Sequence, residues 1–293
     1  MRYGVAIDLH VGESAPEEVA WPNVEALVQL AESGGLDVVV LPDHLAYRAG
    51  GDGDYSLPDE GVGVREAMTT AAAVAASTST IGIGHSVINA PYRPPAMLAH
   101  QIAALADIAG GRYTPTIGAG NSFDYDQVGV DGTRRASGLA ECVQVVAELL
   151  RSGTAHLEGT HWTTDRAELA LRPDPAPAII VAAAGPKAME VAARLGDGWN
   201  GWVPTDPESE HVDHLLHRLE RACSEHGRDP DTMVRTADVV IDPLDAAGAR
   251  QRSIETIDML AAKGFDEVRC WLHSDATFEA RRDALEAYLT MRT

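Results

Sequence analysis

The stretch Ile179–Trp202, IIVAAAGPKAMEVAARLGDGWNGW, fits a strand, a tight turn, a helix and a second strand into two dozen residues. Ile179, Ile180 and Val181 form a short apolar, β-branched run of the kind that fills a strand buried on both faces. Ala182, Ala183, Ala184 and Gly185 then leave the backbone uncovered, and Pro186 has the fixed φ that suits the first turn of a helix. Met189, Ala192, Ala193 and Leu195 lie along one side of that helix until Gly196 ends it. The free N–H groups at the helix start form an anion site. The chain holds 21 Arg but only two Lys, and one of the two, Lys187, stands in this first turn, where a cation is unfavourable beside the helix dipole. A bound phosphate would remove that penalty; a plain strand-to-helix turn with a solvated Lys187 is the competing reading.

The alternation extends in both directions. On the N-terminal side the pattern predicts a strand over Tyr3–Leu9, a helix over Glu17–Ser33 and a buried strand over Asp37–Leu41. That strand runs into Pro42, Asp43, His44 and a Gly/Asp-rich loop over 46–64. Most such connections have ~2–6 residues, so this one reads as an active-site loop. An Ala-rich helix over Arg65–Ser77, a strand over Thr80–Ile88, a helix over Pro94–Ala109, a strand over Arg112–Ile117 and a helix over Arg135–Arg151 follow. The run HLEGTHW reads as a turn around Glu158-Gly159, which makes 154–177 a hairpin insertion. Beyond Trp202 come a helix over Pro207–His226, a strand over Val234–Ile241, a helix over Ala247–Lys263, a strand over Glu267–Leu272 and a helix over Phe278–Met291.

Eight strand–helix units in 293 residues predict a single α/β domain over 1–293, a (β/α)8 TIM barrel with insertions after strands two and four. A doubly wound open sheet competes, but GxGxxG and its acidic partner are absent where they would be expected. The formal net charge of −21 argues against nucleic acid and anionic membrane surfaces as partners. No run approaches the ~18 apolar residues of a membrane helix, and MRYGVAIDLH has no extended apolar leader core, so a cytoplasmic protein is expected. Cys142, Cys223 and Cys270 lie in apolar periodic segments without CxxC spacing and read as reduced, buried thiols.

In a barrel, polar residues just past the strand ends become neighbours around one mouth. These are Asp8 and His10, Asp43 and His44, His85, Ser86 and Asn89, Asn121 and Asp124, the Gly185 turn, and Asn200 with Trp202. Their spacing gives no defensible metal set, and no metal is expected. His44, with Asp43 beside it, is placed to move protons near neutral pH; a His packed inertly under the 46–64 loop is the alternative. No Walker loop, serine-nucleophile motif or CxxC competes with it.

Three linked stretches carry a resemblance over nearly the whole chain. They are Pro42-Asp43-His44-Leu45, the run SVINAPYRPPAMLAHQIAALADIAGGRYTPTIGAGN, and AAAGPKAMEVAARLGDGWN, in this order and spacing. Together they resemble the luciferase-like superfamily of flavin- and deazaflavin-dependent barrels, and the GPKAMEVAARLGDG wording is most similar to its deazaflavin branch. The resemblance implies an oxidoreductase that transfers a hydride between coenzyme F420, an 8-hydroxy-5-deazaflavin, and a small organic substrate. An FMN-dependent monooxygenase is the alternative; a cofactor carrier without turnover and a metal-dependent barrel hydrolase rank below both.

By the same resemblance Asp43 and His44 line the redox ring, with Asn89 and Asn121 nearby. Ala183, Ala184, Gly185, Pro186 and Lys187 hold the phosphate tail. A non-prolyl cis peptide backing the ring falls at Ser86-Val87. A homodimer is implied as well. Sugar-phosphate dehydrogenases of this branch carry Glu where Asn121 stands and Trp near the position of Arg48, so that substrate does not follow.

Overall fold

A computed structural model describes residues 1–10, 16–47, 62–244, 248–272 and 277–291. Most of the 46–64 loop, and Arg48 with it, lies outside them. Strand one is Arg2–Ala6, strand two Val38–Leu41, strand five Ile180–Ala182, strand six Gly198–Val203, strand seven Val234–Ile241 and strand eight Glu267–Leu272. Strands three and four are each broken in two. Strand three comprises Gly82–His85 and Ile88–Asn89, interrupted by a cis peptide at Ser86-Val87; strand four comprises Tyr113–Thr114 and Thr116–Gly118, interrupted at Pro115.

The pairings among these eight strands are parallel, and they run one to two, two to three, and so on to eight, which returns to one. The two halves of strand three pair with the two halves of strand four, so the ring is closed: an eight-stranded barrel. The apolar pattern of Thr80–Ile88 reads as one continuous run and does not mark the break, whereas the family resemblance placed the cis peptide at Ser86-Val87, where it is found.

The helices are α1 (Trp21–Ser33), α2 (Ala67–Ser77), α3 (Pro95–Ile108), α4 (Ser122–Val128), α5 (Arg135–Ser152), α6 (Pro186–Leu195), α7 (His211–Glu225), α8 (Ala249–Ala262) and α9 (Phe278–Met291). Their apolar stripes, for example Leu98, Ile102 and Leu105 of α3 and Leu139, Val143, Val146 and Leu150 of α5, bury against the outer face of the barrel. The short α4 was not expected from periodicity. No described helix is long and apolar enough to cross a membrane. The three cysteines are free and buried, as their apolar settings predict.

In the barrel interior small residues stand beside large ones, as Gly4 of strand one does beside Arg269 of strand eight. A Cβ on Gly4 of strand one would lie 2.4 Å from Val38 Cγ1, so only hydrogen fits there. Across the interior, Arg269 of strand eight, 1% exposed, donates to Glu267 at 2.6 Å and to Thr116 Oγ1 of strand four at 2.7 Å. A buried guanidinium needs such partners, since desolvation costs several kcal/mol per ion.

The hairpin Thr154–Glu158 with Thr163–Glu168 follows α5. Its turn spans 159–162 rather than centring on Glu158-Gly159. Glu141 of α5 determines this, accepting the N–H groups of Thr160, His161 and Trp162 at 2.8, 2.9 and 2.9 Å.

Glu32, in the last turn of α1, ties that helix to the approach to strand three. Its Oε1 accepts the N–H groups of Ser79, Thr80 and Ile81 at 2.8, 2.7 and 3.1 Å, and the Thr80 hydroxyl at 3.0 Å. Burial raises its pKa, but these donors outweigh burial and pull it down to about 2. The folded pKa is thus depressed, so the stabilisation is complete above the unfolded value and is lost as pH falls toward 2. Glu32→Ala is expected to cost about 1–3 kcal/mol at pH 7. In urea melts at stepped pH the gap to wild type should narrow from pH 4.5 downward; a gap independent of pH would refute this assignment.

Candidate active site

Strand two ends at Leu41, and the next three residues carry its chemistry to the barrel mouth. Asp43 is 1% exposed. Its carboxylate is gripped by Arg93 through two bonds, 2.6 and 3.0 Å, and accepts the Asn89 N–H at 2.9 Å. Arg93 also donates to Glu66 at 2.6 Å. Burial works against the Arg93 charge, but Asp43 and Glu66 outweigh it and hold its pKa above the ordinary value. Asp43 is therefore a fixed, neutralised strut that positions the backbone of Asn89.

The carboxylate that reaches His44 belongs to Asp124, in the first turn of α4. Its Oδ1 lies 3.0 Å from His44 Nδ1. Asp124 is fully buried and accepts further bonds from Asn89 Nδ2 at 3.1 Å, from the Asn121 N–H at 2.8 Å and from the Tyr92 hydroxyl. Burial and then Asp124 itself push the Tyr92 phenol well above its usual range, so it stays a hydrogen-bond donor. With the proton held at Nδ1 on that carboxylate, the lone pair of the imidazole lies on Nε2. The His44 side chain is 12% exposed, neither solvated nor sealed into hydrocarbon. Sequence adjacency pointed to Asp43 as its orienting group; the structure gives that place to Asp124.

Next to this cluster is a floor of small apolar groups. A Cβ on Gly118 would stand 2.5 Å from Val87 Cγ2 and 3.4 Å from Ala182 Cβ, so Val87, Gly118 and Ala182 meet at one level across strands three, four and five. Gly120, at φ +73°, takes the left-handed turn that brings the chain against Asn89 and Asp124. Continuing round the rim, Ala183 is buried, whereas Ala184, Gly185, Pro186 and Lys187 are exposed. The start of α6 has no side-chain cap, and space beside Gly185 is open. Its first-turn N–H groups are thus available, with Lys187 among them.

Other rim candidates have different surroundings. His85 is fully buried, 3.0 Å from the Tyr113 hydroxyl, and burial lowers its pKa to about 4, so it is a neutral core residue. Asp8 and His10 pair with each other. Asn200 donates to Thr236 at 3.0 Å, and Trp202 is half exposed. Burial raises the pKa of Asp238, beneath the mouth on strand seven, against the opposing effect of Arg269. Among the described residues no group of three or more His, Cys, Asp and Glu side chains is arranged around a metal position.

The model of the luciferase-like monooxygenases matches residues 1–288. The chain belongs to this family. It is 31% identical to an F420-dependent glucose-6-phosphate dehydrogenase of Beutenbergia cavernae over 193 residues, 64% of this chain and 54% of that enzyme. It thus spans little more than half the length of that relative. A 5,10-methylenetetrahydromethanopterin reductase of Archaeoglobus fulgidus is 28% identical over 226 residues, 76% of this chain and 60% of the reductase. Among solved structures, an F420-dependent secondary alcohol dehydrogenase holding an F420–acetone adduct superposes with a TM-score of 0.77, at 17% identity and 98% coverage of both chains. That likeness shows the fold. The luciferase-like chain shares the barrel; sequence reasoning placed Asp124 on the rim but not against His44, and it passed over Tyr92 and Arg93.

Proposed function

We propose that the protein is an F420-dependent oxidoreductase that transfers a hydride between the deazaflavin and a small organic substrate. One observation carries the reading: a single imidazole, oriented by a buried carboxylate, borders a flat apolar floor whose far side leads to uncapped helix amides. The F420-dependent relatives support the choice of cofactor. The residues fit such a group. Val87, Gly118 and Ala182 offer a level surface without a charged side chain, and the start of α6 offers N–H donors and Lys187 to a phosphate.

In this reading Ala183, Ala184, Gly185, Pro186 and Lys187 hold the phosphate, and Ser86, Val87, Asn89, Asn121 and Asp43 frame the ring. The bound deazaflavin supplies the hydride chemistry. His44 supplies or removes the balancing proton at Nε2, and Asp124 keeps Nδ1 protonated so that Nε2 is the nitrogen presented. Asp43 acts through Arg93 and Asn89 as a positioning residue.

Titration of the purified chain with F420 and with FMN tests this directly. Tight binding of F420 alone is expected; tight binding of FMN alone would replace it with the monooxygenase reading. Lys187→Ala should raise the Kd for F420 about two- to fivefold at low salt, because an exposed charge contributes up to ~1 kcal/mol. The difference should shrink as salt is raised. An unchanged Kd at low salt removes Lys187 from the site.

A further inference from the structure

Opposite His44, the ends of strands six, seven and eight build a wall of a different character. Trp202 is in register with Asp238, and Asp238 with Arg269, whose side chain crosses the interior to Thr116. These side chains therefore share the inner face, and two residues further along strands seven and eight the same face carries Val240 and Trp271. The Trp202 and Trp271 rings lie 6.0 Å apart at 55°. Trp202 is 51% exposed and Val240 39%, large values for apolar side chains beside a concave mouth. Leu45, directly after His44, is 42% exposed.

Above the buried Arg269, the described part of the wall carries no cation. Among the described residues between these strand ends and the helices that follow there is no Lys or Arg, whereas Asp206, Glu208, Glu210 and Asp242 are present. An anionic substrate would approach these carboxylates. Beneath the rings, the buried Asp238 carboxyl interacts with Trp271, Asn200 and Ser86, so the polar groups under the wall are occupied with one another.

We propose that Trp202, Trp271 and Val240 form the substrate face, and that it takes a flat, uncharged aromatic compound in preference to a phosphorylated or carboxylated one. The assignment of this face to substrate rests on the proposed function, but its ligand preference can be measured without turnover. Two probes share one ring system and differ in charge: 2-acetylnaphthalene and 2-naphthoate. Calorimetric titration of the full chain, free and with F420 added, is expected to show the ketone binding on the order of tenfold tighter than the carboxylate at physiological salt. Trp202→Ala should weaken the ketone on the order of tenfold, since aromatic anchors dominate such surfaces, while F420 affinity is unchanged. Trp202→Phe should restore most of the loss.

Equal or tighter binding of 2-naphthoate, no binding of the ketone, or an unaffected Trp202→Ala variant would each overturn the proposal. Trp202 is half exposed, so its truncation leaves the core intact. If F420 fails to bind, the proposed function fails, and the ketone titration of the free chain still decides the character of the wall.

Discussion

Purified His44→Ala protein is expected to bind F420 as tightly as wild type and to turn over about 10²–10⁴ times more slowly, the usual contribution of a positioned acid–base group. The structure separates the two effects. The imidazole is set at the mouth by Asp124 and Asn89, whereas the helix amides and Lys187 lie on the rim after strand five. Removing the ring therefore leaves the start of α6 untouched. Asp124→Asn refines the expectation. Without a carboxylate on Nδ1 the imidazole loses its enforced tautomer, and kcat should fall about tenfold or more while KM stays near wild type. Nitrogen-15 spectra of the cofactor-free chain provide an independent readout: wild type should show His44 protonated at Nδ1, and the variant a mixture of tautomers. Full activity in His44→Ala would remove the imidazole from the mechanism. An unaltered tautomer in Asp124→Asn would remove Asp124 from its positioning role.

The second large effect concerns stability. Arg269→Ala is expected to destabilise the fold by about 3 kcal/mol, the lower end of the range for breaking a buried ion pair, because Glu267 keeps its outer partner Arg2 at 2.9 Å. Glu267 is 3% exposed and would keep its charge or take up a proton, either at a cost. Thr116 Oγ1 would lose its donor at the same time. The paired change Arg269→Met with Glu267→Leu removes both charges and should recover most of the loss, because well-packed apolar replacements of buried pairs are often neutral or better. Urea unfolding of the three variants measures this. A loss below ~1 kcal/mol in Arg269→Ala would mean that water or a shifted side chain satisfies Glu267.

Strands seven and eight and the last helix were legible in the sequence to the residue, since Val234–Ile241, Glu267–Leu272 and Phe278–Met291 have clear periods and clear stops. Short-range signals of this kind also located the α6 turn and the Asp43-His44 corner. The partners of those residues were less visible. Asp124 lies 80 positions from His44, and Arg93 lies 50 from Asp43, separations at which local pattern conveys nothing. A hint was available in Asn121…Asp124, an N-cap with an acid three residues on, which announces a helix start. Read that way, it would have predicted α4, although not the imidazole that its carboxylate accepts.

Tyr3 near one end of the chain is matched with Val268 near the other, and strand one sits between strands two and eight. During synthesis the first strand therefore waits for almost the entire polypeptide before its second flank is covered. A nascent chain stopped short of Glu267 would present two raw β-edges, one on strand one and one on strand seven, each a template for pairing with another molecule. Truncations from the C-terminus are thus predicted to aggregate abruptly once that strand is lost, and the final strand is the lock on the whole assembly.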